Sequence, residues 1–104
     1  MSRLEQIQSW VKETPEDPFL HFALAKEFEK LSQKDKALEQ YKHLVSAHPD
    51  YVGTYYHLGK LLEQAGELEE ALQVYQSGIQ VARKAGDQHA MGELAGAKLN
   101  LEDE

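Results

Sequence analysis

The residues able to do chemistry in this 104-residue chain are five histidines, His21, His43, His48, His57 and His89, and an acidic run at Glu67, Glu69 and Glu70. Metal binding or acid–base catalysis would need them in a ligand pattern such as HExxH, or beside a nucleophile or a phosphate-cradling loop. None of these patterns occurs. No two histidines stand four apart, and His43 and His48, five apart, fall on different faces of a helix. They read as packing or surface residues. The three glutamates open a helix, where negative charge meets the positive end of the macrodipole, and so they stabilise that helix instead of holding a metal. No catalytic residue, metal ligand or cofactor site is expected, and an enzyme is disfavoured.

These residues ride on a pattern of helices. From Tyr55 to Tyr75 the chain reads YYHLGKLLEQAGELEEALQVY. Tyr55, Leu58 and Leu62 recur at spacings of three and four, and Leu68, Ala71, Leu72 and Tyr75 repeat the stripe after Gln64-Ala65-Gly66-Glu67. The spacing predicts a helical hairpin hinged at Gly66, a residue that can take the left-handed conformation ending a helix. Gly59, beside Leu58, predicts a close helix contact. A hairpin with so wide an apolar face needs copies to stack on it. They occur at an offset of 34: Leu24 pairs with Leu58, Lys26 with Lys60, Glu29 with Glu63, Ala37 with Ala71, Leu38 with Leu72 and Tyr41 with Tyr75, while Ala25 stands opposite Gly59. A half-length third copy sets Leu4-Glu5-Gln6 against Leu38-Glu39-Gln40, Val11 against Val45 and Pro15 against Pro49.

A 34-residue helix-turn-helix period with small residues at Ala25/Gly59 and Ala37/Ala71, aromatics at Tyr41/Tyr75 and Pro49 at the junction resembles the tetratricopeptide repeat family, over residues 2 to about 84. The chain departs from the family pattern at His21, where a large aromatic is commonest, at Ser32 in place of the turn glycine, and at Arg83 in place of the junction proline. The resemblance implies an all-α, right-handed superhelical solenoid of about six helices in a single domain, with a half-repeat helix at 2–14, repeats at 18–51 and 52–85, and a capping helix at 87–101.

The resemblance also implies a function. In this family the inner face of the first helix of each hairpin lines a concave groove that receives an extended peptide or a helix of a partner. Carried over position by position, the groove holds Phe19, Phe22, Lys26, Glu29 and Lys30 from the first repeat, and Gly53, Tyr56, Lys60, Glu63 and Gln64 from the second. Phe22/Tyr56 make an aromatic row beside the basic row Lys26/Lys60, which suits a partner with an apolar anchor and a carboxylate, such as an acidic peptide. The alternative makes both lysines solvated face residues or i, i+3 partners of Glu29 and Glu63. Some family members clamp acidic C-terminal tails of heat-shock chaperones with lysine, asparagine and arginine on three successive first helices. Here Phe22 and Lys26 replace the clamp lysine and asparagine, and His57 replaces a second asparagine, so that clamp is absent.

Eleven basic against 18 acidic residues leave a net charge of -7, which disfavours nucleic acid as a partner. With no cysteine, disulfides and zinc-thiolate sites are excluded, and a cytoplasmic location is the default expectation. No stretch approaches the length that spans a bilayer, so a soluble protein without membrane association is expected.

Local signals complete the picture. Ser2 can cap a helix carrying Leu4, Ile7 and Val11; Asp17-Pro18 can start the next; Asp50 can cap the helix after Pro49; and Gly86 can stop a long helix. Arg3 stands where the full copies have Ala37 and Ala71, positions that need a small residue only when a preceding helix presses on them, and leucine is expected to be tolerated there. Trp10 reads as a large cap over apolar surface. Ser32 is expected in a left-handed conformation costing about 1 kcal/mol. Ala90, Leu94, Ala97 and Leu101 predict a last helix that Gly92 and Gly96 weaken by roughly 1 kcal/mol each, so that it depends on docking. A second functional reading is a self-associating structural module, with the face around Leu4, Ile7 and Trp10 packing on a copy of itself in a homo-oligomer.

Overall fold

A computed structural model describes residues 1–103, and these form six α-helices with no strand among them: α1 (Arg3–Glu13), α2 (Pro18–Lys30), α3 (Lys34–Ala47), α4 (Gly53–Gln64), α5 (Leu68–Ala85) and α6 (Gln88–Glu102). The starts of three helices are written in side chains. Ser2 and Glu5 form a capping box on α1, with Glu5 N–H donating to Ser2 Oγ at 3.1 Å and Ser2 N–H to Glu5 Oε1 at 3.0 Å. The hydrogen bond from the Ser2 backbone holds the Glu5 carboxyl below its usual range. Asp17 caps α2 by accepting from Phe19 N–H, with Pro18 at the first helical position, and Asp87 caps α6 by accepting from Ala90 N–H.

Asp50 does not act as expected. Helix α4 begins only at Gly53 after Val52, without a side-chain cap, and the intervening loop is instead pinned by Tyr55 Oη donating to the Pro49 carbonyl at 2.5 Å. Three helix ends share one device, in which a left-handed residue ends the helix and two crossed hydrogen bonds close the last turn. Ser32 (φ 59) donates to Glu29 O and Gln33 to Phe28 O; Gly66 and Glu67 repeat this on Glu63 and Leu62, and Gly86 and Asp87 on Arg83 and Ala82. Ser32 is thus a non-glycine residue in a glycine conformation, as its alignment with Gly66 predicts.

The chain divides into two compact units, one of Met1–His48 and one beginning at Pro49. In the first, α2 packs on α1 and on α3. Ile7, Leu24, Ala25, Phe28, Ala37, Tyr41 and Leu44 are buried there. Ile7 is therefore a core residue, 1% exposed, and not part of an open face; Trp10, at 40%, does stand outside. Arg3 carries a partner that periodicity does not reveal: its Nε lies 3.5 Å from Oε1 of Glu27, a buried carboxylate whose counterpart at the 34-residue offset is the buried Leu61. Leucine at position 3 would leave that carboxylate buried without its cation, which contradicts the expected tolerance.

In the second unit α5 packs on α4 and on α6, and α6 also touches α4. Two glycines set how closely the helices approach. A Cβ built on Gly59 would fall 2.1 Å from Tyr75 Cε1, and one built on Gly78 would fall 2.5 Å from Tyr55 Cβ and 3.0 Å from Leu94 Cδ1. The contact predicted at Gly59 is thus a glycine laid against a buried tyrosine ring. Leu94, Ala97 and Leu101 bury one side of α6, so docking supplies what its glycines withhold. No helix among the described residues is long and apolar enough to cross a membrane.

Candidate functional site

The first helix of each hairpin repeats one arrangement of aromatic, lysine and glutamate. On α2, Lys26 Nζ lies 6.0 Å from the centroid of Phe22, one turn earlier, and the Phe22 ring tilts against Tyr41 with centroids 6.0 Å apart. On α4, Lys60 Nζ lies 5.7 Å from the centroid of Tyr56. The spacing i, i+4 on a helix makes these pairs, and a cation over an aromatic face is favourable by about 0.5–1 kcal/mol at exposed sites.

Glutamates at both positions turn out to serve the fold as well. Tyr41 Oη donates to Glu29 Oε2 at 2.5 Å, and Tyr75 Oη donates to Glu63 Oε2. Burial, reinforced by the adjacent carboxylate, pushes both phenols well above the usual tyrosine range. Glu63 also receives Lys60, Nζ to Oε2 at 3.8 Å, the i, i+3 pairing that the sequence allows. Sequence reasoning misses the tyrosine–glutamate link although it has a signal, since both pairs are 12 apart and recur at the repeat offset. Phe19, 59% exposed, lies at the start of α2 and the exposed Lys30 at its end; Gly53 and Gln64, both exposed, bound α4 in the same way.

His21 is buried and fully engaged. Its Nε2 faces the Pro15 carbonyl at 2.7 Å, an acceptor only, so Nε2 carries the proton and Nδ1 accepts from Gln40 Nε2 at 2.9 Å. A polar ring with both nitrogens satisfied can occupy a position where a large aromatic is usual. Among the described residues no three histidine, aspartate or glutamate side chains form a group able to hold a metal ion.

In the second unit α4 and α6 flank a cavity of about 220 Å³ lined by Val52, Gly53, Tyr56, His57, Asp87, His89, Ala90, Glu93 and Leu94. Tyr56 and His57 meet edge to face there, centroids 5.8 Å apart. Gly53 and Tyr56 are groove positions expected from sequence, whereas the α6 wall is not, because α6 lacks the repeat pattern. A larger cavity of about 560 Å³, lined by Pro49, Asp50, Val81, Lys84 and Ala85, holds no aromatic ring. The smaller one joins aromatic, imidazole and carboxylate groups and is the better candidate for recognition.

A tetratricopeptide repeat family model matches residues 32–94. The chain belongs to the tetratricopeptide repeat family. This repeat protein is 47% identical to a tetratricopeptide repeat domain protein from Salinibacter ruber, a match that covers 84% of this chain and 97% of that one with a TM-score of 0.81. It is 36% identical over 64 residues to Protein DIA2 of Eremothecium gossypii, 62% of this chain but only 9% of that much longer protein. The TPR2B domain of yeast Sti1, solved as a pHsp70 complex, superposes with a TM-score of 0.87, covering 96% of this chain and 80% of that one, and its 15% identity speaks for the fold alone. Tetratricopeptide repeats are in general a non-enzymatic protein-interaction fold, and the six helices here match helical-solenoid relatives.

Proposed function

We propose that this tetratricopeptide repeat protein is a non-catalytic interaction module that takes a peptide or a helix of a partner protein on the first-helix faces of its hairpins. The observation that carries the proposal is the recurrence, 34 residues apart, of an aromatic ring with a lysine ammonium above it and a glutamate one turn on: Phe22, Lys26 and Glu29 on α2, and Tyr56, Lys60 and Glu63 on α4. The rings offer apolar area for an anchor, and the exposed Lys26 offers charge to a carboxylate. Phe19, Lys30, Gly53 and Gln64 extend the same faces. The domain solved in complex with pHsp70 has this fold and takes a partner.

The test uses the full chain as bait in quantitative affinity capture, beside Phe22→Ala/Tyr56→Ala and Lys26→Glu/Lys60→Glu variants that retain wild-type helicity. Capture should fall with the aromatic pair at any ionic strength, and with the lysine pair chiefly at low salt, where charge is least screened. Undiminished capture by both variants would place the interaction elsewhere. A second reading, self-association through α1, has the exposed Trp10 in its favour and predicts concentration-dependent sedimentation that Trp10→Ala removes.

A further inference from the structure

We propose that the trough between α4 and α6 is a subsite for one basic side chain, an arginine or a lysine of the bound segment. The proposal rests on the interaction function above and adds the chemistry of the partner. The charged lining has one sign: Asp87 and Glu93 bring two carboxylates from α6, and no lysine or arginine contributes to the wall. The Tyr56 ring on its wall has a negative face. Lys60 Nζ already lies 5.7 Å from that ring's centroid, which shows the ring working as a cation surface in this setting. Lys60 is itself answered by Glu63 at 3.8 Å, so the local field is not dominated by an uncompensated lysine.

Asp87 keeps its structural duty while serving the site. Its Oδ1 accepts from Ala90 N–H at 3.0 Å, and a carboxylate has further acceptor positions to offer. Size points the same way. A turn of helix, a cylinder about 10 Å across and 5.4 Å long, would fill roughly 400 Å³, and the trough holds about 220 Å³. It therefore admits a side chain from a segment lying across it and not the segment's backbone helix. Guanidinium is preferred to ammonium, since its planar fork can engage a carboxylate by two parallel bonds and stack on the tyrosine ring.

The test is a titration of the ¹⁵N-labelled full chain with N-acetyl-arginine methylamide, with N-acetyl-lysine methylamide, and with N-acetyl-glutamate methylamide as the charge control. The arginine probe should shift the amide signals of Tyr56, His57, Ala90 and Glu93 and bind more tightly than lysine, while the glutamate probe leaves them in place. Glu93→Gln, and Asp87→Asn, which keeps a capping oxygen, should each weaken the arginine probe roughly two- to fivefold. An arginine probe that leaves these signals unmoved or shifts only signals elsewhere, equal binding of glutamate, or unaltered arginine affinity in both variants would overturn the proposal. If those results came together with loss of partner capture by Phe22→Ala/Tyr56→Ala, the subsite would fall and the interaction function would stand. Arginine binding in the trough with capture untouched by that pair would mean the reverse.

Discussion

Replacing Gly59 by alanine should destabilise the second unit by about 2–4 kcal/mol, against the helix propensity of the two residues. Propensity favours alanine by about 1 kcal/mol in a helix interior. The new methyl, however, would sit 2.1 Å from Tyr75 Cε1, 2.6 Å from Cζ and 2.7 Å from Cδ1. Carbon atoms rest about 3.5–4.0 Å apart, so the ring would have to move by roughly 1.5 Å. It is not a loose end: Tyr75 is fully buried and its hydroxyl is tied to Glu63. Overpacking costs about 1–3 kcal/mol, and a lost hydrogen bond to a charged acceptor about 1.5–3 kcal/mol. Even with the propensity gain subtracted, the balance is destabilising. Gly92, also helical, has nothing within 4 Å of a built Cβ and is solvent-exposed, so Gly92→Ala should stabilise by about 0.5–1 kcal/mol. Both variants can be read in equilibrium urea unfolding followed by circular dichroism. A Gly59→Ala protein as stable as wild type, or two substitutions moving in the same direction, would refute the close contact as the cause.

Other expected outcomes concern turns and tyrosines. Ser32→Gly should raise stability by about 1 kcal/mol and Gly66→Ala lower it by a similar amount, since both positions are left-handed; thermal unfolding of the pair checks the sign of each. Tyr41→Phe and Tyr75→Phe should each cost about 1–3 kcal/mol in denaturant unfolding by removing the donor to Glu29 or Glu63. Because the folded state raises both phenol pKa values, the unfolded chain loses these protons first; their stabilisation is complete below about pH 10 and declines above it. Wild type should therefore lose stability above that pH more steeply than the double phenylalanine variant, and parallel profiles would contradict the assignment.

Periodicity and local backbone chemistry determine the part of this fold that is legible in the sequence. A small residue beside Leu58 on the helical stripe marks Gly59 as a close helix contact, and the 34-residue offset aligns Ser32 with Gly66. Gly78 gave no such warning, because its counterparts are Trp10 and Leu44, yet it makes room for Tyr55 and Leu94. Polar pairings across a turn or between helices were also hidden. Glu27 looks like any exposed helix glutamate until α1 brings Arg3 against it, and His21 looks like a defect until Pro15 and Gln40 satisfy it. Asp50 has the right chemistry for a cap, but the chain runs on to Gly53 before turning helical, and Tyr55 takes the Pro49 carbonyl. The α6 wall of the trough was out of reach for a related reason: helices joined by packing need not share a motif.

The measurement that bears most directly on the interaction function is site-specific photocrosslinking in cells, with a photoreactive phenylalanine analogue placed in turn at Phe19 and Tyr56 on the first helices, at the exposed Gln76 on α5, and at Trp10 on α1. Binding on the first-helix faces predicts one partner protein joined to the chain from positions 19 and 56 and absent from position 76. Crosslinks confined to position 76, or products consisting only of this chain joined to itself through position 10, would contradict it.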